Sequence, residues 1–334
     1  MSRTALKKSI LFALTVILLV VYIFQVSLNG REKKTTLSVK KDVDCVEIEN
    51  VRGGIRLDKV DGVWKVSTVK NPDLKFETEE YAVKNIVDSI SLLNLLGTVS
   101  SGEANKVQRY GLDDESKISV KAYSKNKVVR TLFVGKNSVS GSQSYVQVDG
   151  KKSVMVSDSA LHTVFDRSLP SLRKKVLYEI ASDSISSVTV KKGETEYEII
   201  LDQVEAIDSE MYSVSSQRTE WKLLKAPEGK GELELDQGKV GAWIVSLSKM
   251  NVSQWCESDV ALPEKSPDIS MDIAVGGMIY SMNFYSLEEN DRYLCSTNQT
   301  KGLFYMSKTV VDDFAKELDD LLAKVETQNE EKKD

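Results

Sequence analysis

The chain has 334 residues, with 45 basic against 50 acidic side chains and a formal net charge of −5. This mild acidity, without any Lys/Arg stripe interleaved with aromatics, argues against a nucleic-acid partner. Three well-separated cysteines (Cys45, Cys256, Cys295) form no C-x-x-C pair, so a structural zinc site has no support, although a Cys256–Cys295 disulfide stays open.

The first element is Ser9 to Leu28, a run of about 20 residues without a charge. As a helix at about 1.5 Å per residue it would span about 30 Å, the hydrocarbon thickness of a bilayer. Arg3, Lys7 and Lys8 precede it and Arg31, Lys33 and Lys34 follow, so charge orients it only modestly, N-terminus in the cytoplasm. The exit Val26-Ser27-Leu28-Asn29-Gly30 is a poor cleavage site, which favours an uncleaved anchor over a signal peptide. The expectation is a cytoplasmic head and transmembrane anchor over 1–30 and a basic juxtamembrane spacer over 31–44.

From Cys45 the pattern turns to strands. Val46 and Ile48 alternate with polar residues, Ile55 and Leu57 follow, and Asp61-Gly62 predicts a hairpin turn into Val63-Trp64-Lys65-Val66. Val83, Ile86, Val87, Ile90 and Leu93 then stand three and four apart, one face of a helix.

The same succession returns further on. Val188, Val190, Tyr197, Ile199, Tyr212 and Val214 read as strands before Trp221-Lys222-Leu223, and a second helix carries Val240, Trp243, Ile244, Leu247 and Met250. A single offset of 157 residues relates this helix face and its preceding Trp to the first set. Helical periodicity alone would not also fix the distance back to a Trp-Lys strand, so an internal duplication is expected. At an offset of 151, Ile118, Val120 and Phe133 match Ile269, Met271 and Phe284. Each copy closes with a strand and an expected helix, Ser159 to Lys174 and Lys308 to Lys324. The predicted class is α+β: an N-terminal transmembrane helix, then two tandem duplicated units over 45–178 and 179–325. Each is expected to be mostly antiparallel sheet with two packed helices, and 326–334 reads as a disordered charged tail.

Little catalytic equipment is visible. His162 has no second His and no Ser or Cys motif beside it. Ser171-Leu172-Arg173-Lys174 and Ser246-Leu247-Ser248-Lys249 fit S-x-x-K but lack S-D-N and K-T-G companions. No cofactor or metal motif occurs. Paired acids such as Asp113 and Asp114 could hydrolyse an envelope polymer only if folding joined them in a cleft. Trp64 and Trp221 read as core packing.

Trp64-Lys65-Val66, Tyr110-Gly111-Leu112-Asp113, Thr131-Leu132-Phe133-Val134-Gly135, Tyr145-Val146 and the Leu169 to Leu177 segment, behind an N-terminal anchor, resemble a bacterial family known as domain of unknown function 4340. The resemblance is good over about 45–180. Asp114 stands where Pro often follows the GLD triplet. The family offers no catalytic residues to carry over. It implies an accessory envelope protein, found in many bacteria with ABC-type transport systems similar to those of gliding motility. The expected function is therefore a non-enzymatic, membrane-anchored accessory or scaffold subunit of a membrane complex, its body outside the cytoplasm. Membrane lipid and an ABC-type transporter or another envelope protein are its expected partners. A small-molecule or lipid-binding module and an envelope polymer hydrolase are the alternatives. The expected interaction loop is Arg109, Tyr110, Gly111, Leu112 and Asp113.

Overall fold

The computed structural model describes residues 13–23, 34–101, 103, 107–206, 216–230, 233–257, 259–287 and 291–323. The chain divides into two compact units, one up to Leu172 and one from Arg173.

The expected transmembrane helix is corrected first. Of Ser9–Leu28, only 13–23 is described, as helix α1. Among the described residues no helix is long and apolar enough to cross a membrane.

In the first unit ten strands form one antiparallel sheet: β1 (Thr35–Ser38), β2 (Cys45–Asn50), β3 (Gly53–Val60), β4 (Val63–Thr68), β5 (Asn71–Glu77), β6 (Leu92–Ser100), β7 (Ile118–Ser124), β8 (Lys127–Asn137), β9 (Ser144–Val148) and β10 (Val154–Ser157). Their spatial order is β1-β6-β10-β9-β8-β7-β2-β3-β4-β5. Part of the expected spacer is thus strand β1, paired with β6 through Leu37 and Leu93. Asp61 and Gly62 both take positive φ, the geometry of the tight turn that joins β3 to β4. Helix α2 (Glu80–Ser91) buries Val83, Ile86 and Ile90 on one face of the sheet, against Ile48, Leu57, Val120 and Leu132.

The second unit contains β11 (Val176–Glu179), β12 (Ile185–Lys192), β13 (Thr195–Ala206), β14 (Ser216–Lys225), β15 (Lys249–Asn251), β16 (Gln254–Trp255), β17 (Ile269–Val275), β18 (Met278–Leu287), β19 (Arg292–Thr297) and β20 (Phe304–Ser307). β11 pairs with β15, and the other eight form a sheet of order β14-β13-β12-β17-β18-β19-β20-β16. The order β10-β9-β8-β7-β2-β3-β4 of the first unit therefore returns as β20-β19-β18-β17-β12-β13-β14. Tyr212 and Val214 lie outside the described residues, as does the tail 326–334.

The α+β expectation, with two packed helices per unit, is also corrected. Strand makes up 47% of the described residues and helix 22%, a sheet-rich fold. The helices expected after β10 and β20 are each broken into short pieces, α3 (Leu161–Phe165) and α4 (Leu169–Leu172), then α6 (Lys308–Phe314) and α7 (Leu318–Leu321), with α5 (Gln237–Leu247) between the pairs in sequence. Pro170 supplies no N–H to continue α3 into α4. After α6 the backbone leaves helical geometry at Ala315, and the next carbonyl, of Lys316, accepts the Tyr197 hydroxyl at 2.5 Å instead of a helical N–H. Helix α5 does form, but it ends at Leu247, and Met250, expected on its face, lies on β15. Asp236 caps the helix by accepting from the N–H groups of Gly238 and Lys239, and its apolar face buries Val240, Trp243, Ile244 and Leu247.

Candidate functional site

The five loop residues singled out in sequence divide into two roles. Gln108–Tyr110 form one 3-10 turn, which Gly111 ends in a left-handed conformation at φ 66°. Leu112 is buried, and Tyr110 packs its ring on Tyr145 with centroids 4.8 Å apart. The loop lies directly on β8. A Cβ at Gly135 would collide with the Tyr110 carbonyl oxygen and stand 3.0 Å from Leu112 Cγ. The Tyr-Gly-Leu and Phe-Val-Gly stretches are therefore the two halves of one backbone contact. Arg109 is exposed and Asp113 half-buried. The Asp113 carbonyl accepts the N–H groups of Ser116 and Lys117, while the exposed Asp114 carboxylate pairs with the Lys117 ammonium. That hydrogen bond and charge hold Asp114 below its ordinary pKa.

A larger assembly of ionisable groups, invisible in the one-dimensional pattern, lies on the polar face of the first sheet. Tyr123 on β7 donates its hydroxyl to Glu47 on β2 at 2.6 Å, and Arg56 on β3 reaches the other Glu47 oxygen at 2.7 Å. Arg56 also holds Asp58 at 2.9 Å, and Lys75 on β5 reaches the second Asp58 oxygen at 2.9 Å. The cross-strand register makes the row, because Glu47 stands opposite Arg56 and Cys45 opposite both Asp58 and Tyr123. Burial pushes the Cys45 thiol up to about 12, against the opposing pull of Arg56, so it stays protonated and is a poor nucleophile. Burial and the bond to Glu47 push the Tyr123 phenol up to about 12. Only alternation was legible in sequence; the strand register that joins these residues was not.

Burial acts to raise the Asp58 pKa, but the hydrogen bond from Lys75 and the charge of Arg56 outweigh it and hold the carboxyl below its ordinary value of 3.8. A lowered carboxyl pKa stabilises the fold above the ordinary value, and this contribution is lost as pH falls through the lowered one. Asp58→Asn is expected to lower the urea midpoint near pH 7, with the deficit against wild type shrinking toward pH 3; a deficit independent of pH would contradict the pairing.

In the second unit Cys295 belongs to the sheet's inner face with Phe304, whereas Cys256 packs on the outer face with Tyr285 and Leu294. The two sulfurs are on opposite sides of the sheet, and all three cysteines are free and buried. Burial raises the pKa of Cys256 and Cys295 as well. All three thiols should react with a disulfide reagent far more slowly in the native protein than in denaturant. A single rapid native equivalent would show that one of them is open. Nearby, the buried Arg173 guanidinium stacks 3.5 Å over Trp255 and donates to the Lys301 carbonyl at 3.0 Å, and burial lowers its pKa to about 10.

The remaining motifs have structural partners. The His162 N–H donates to Ser144 Oγ, Ser171 Oγ donates to the Ser168 carbonyl, and Ser246 Oγ donates to the Trp243 carbonyl. Lys249 of the second S-x-x-K pairs with Glu179. Trp64 and Trp221 are half-buried against the cores of their units. Among the described residues no group of three His, Cys, Asp or Glu could hold a metal ion. A shallow groove of about 390 Å³ opens in the first unit between Leu37, Leu95 and Met155, with Lys151 at its rim.

The family described as "Domain of unknown function (DUF4340)" matches residues 64–268. No curated protein and no solved structure matches the chain.

Proposed function

The chain belongs to the family described as "Domain of unknown function (DUF4340)", and from that premise we propose that it is a non-enzymatic envelope protein, an accessory or scaffold subunit of a membrane complex such as an ABC-type transporter. The observation that carries this reading is the ionic row on the first sheet. Its carboxylates, Glu47 and Asp58, are held by Arg56 and Lys75, and its thiol is protonated. Such a row can recognise a partner's charges, and its buried, protonated thiol is not an activated nucleophile. The uncharged stretch 9–28 with its basic flanks supports a place at the cell membrane, with the sheet-rich body outside the cytoplasm.

Purification of the full chain from its host in mild detergent tests this. Reproducible recovery with a membrane partner is expected, and reproducible recovery of the protein alone overturns the reading. The groove beside Leu37 and Met155 favours a second reading, a small-molecule or lipid-binding module. Copurifying lipid, lost on Met155→Lys, would support that reading instead.

A further inference from the structure

We propose that β14 is a self-association edge, along which two copies of this chain pair antiparallel about a two-fold axis at Trp221. β14 is the last strand of its sheet. Its counterpart in the first unit, β4, is covered by β5, with Lys65 opposite Glu77 and Val66 opposite Phe76. Among the described residues no strand besides β13 pairs with β14. The chain passes Pro227 and instead joins the C-terminal segment, where Asp236 N–H donates to the Leu321 carbonyl and Ala323 N–H to the Glu234 carbonyl, both at 2.9 Å.

One side chain already treats this edge as a pairing site. The Gln237 amide accepts from Trp221 N–H and donates to the Trp221 carbonyl, both at 2.9 Å. A side-chain amide offering donor and acceptor together imitates a residue of a neighbouring strand. It also shows that the Trp221 backbone groups point away from β13, and alternation turns those of Thr219 and Leu223 the same way.

The occupant follows from self-complementarity. Centred on Trp221, antiparallel pairing sets Thr219 opposite Leu223 and Glu220 opposite Lys222 of the second copy, so two opposite-charge pairs form at once. The neighbouring registers that keep the hydrogen-bond parity set Lys222 against Lys222 or Glu220 against Glu220, which are repulsive. Asp202, 2.8 Å from Lys222 on the adjacent strand, extends the alternation of charge. Gln237 must release Trp221 as the second strand arrives, so the association competes with an internal bond and depends on concentration.

Sedimentation velocity of the full chain in mild detergent, over a concentration series, tests the edge. Wild type should show a monomer–dimer equilibrium. Glu220→Lys and Lys222→Glu should each weaken it by about tenfold, since each converts two attractive cross-strand pairs into repulsive ones. The double variant should restore it, and Gln237→Ala should tighten it. Circular dichroism melting of each variant separates loss of pairing from loss of fold. A wild type that stays monomeric throughout the series, or a dimer indifferent to both single reversals in folded protein, overturns the proposal.

Discussion

Gly135→Ala is expected to destabilise the first unit by about 3 kcal/mol, at the upper end of the cost of overpacking a tight site. The added methyl would meet the Tyr110 carbonyl oxygen, Leu112 Cγ and the Gly111 carbonyl carbon together. Two of those three are backbone atoms, which cannot rotate aside as a flexible side-chain tip can. Relief requires lifting the whole 3-10 turn off β8, and that uncovers Leu112 and parts Tyr110 from Tyr145. The measurement is the urea midpoint, read alongside hydrogen exchange at 108–118. A change within about 0.5 kcal/mol, the range of ordinary surface substitutions, would show that loop and strand are not in the contact described. Arg109→Ala serves as the control, because its side chain is exposed, and it should leave stability almost unchanged.

Trp243→Ala should cost the second unit about 3–5 kcal/mol, the usual range for removing a fully buried aromatic. Trp243 is 1% exposed and lies between Tyr197 and helix α6, where its indole N–H donates to the Phe314 carbonyl at 2.8 Å. That carbonyl lies at the end of α6, just before the backbone leaves helical geometry. Trp243→Phe keeps most of the apolar volume but leaves the carbonyl without its indole donor, at a cost of about 1–3 kcal/mol. Guanidinium unfolding gives the two values, with alanine the larger. Exchange at 308–321 should rise in both variants. Equal stability of the two would mean that the indole hydrogen bond, rather than the volume, is the larger contribution.

The helix faces were legible because a buried helical face repeats at three and four residues whatever it packs against. Val83, Ile86 and Ile90 are buried as read, and so are Val240, Trp243, Ile244 and Leu247. Strand alternation was equally plain in Ile118, Val120 and Ala122, all buried. The final helices of each unit were misjudged for one physical reason. An apolar period marks residues that face a core, and short helical pieces with turns between them can keep that period. Leu161, Phe165 and Leu172 all reach the core although two separate helices carry them. The Tyr-Gly-Leu-Asp stretch was recognisable as a motif, whereas the reason for its glycine appears only when β8 is laid against it.

The sequence by itself determined the strands around residues 46–66 and 118–122, the central residues of two helix faces, the separation of 157 residues between corresponding positions and the absence of a familiar catalytic motif. These are properties of local period and spacing, and the order of residues along the chain contains them. Period and spacing did not give β1, β5 or β6, nor that Leu93 and Met250 lie on strands. Tertiary structure alone decided that Glu47, Arg56, Asp58, Lys75 and Tyr123 form one ionic row, that Cys256 and Cys295 lie on opposite faces of a sheet, and that β14 ends its sheet with Gln237 on its edge. Each depends on which strand lies beside which, and in what register. A shift of one residue would turn every side chain of a strand to the other face, so no reading of one strand at a time could supply them.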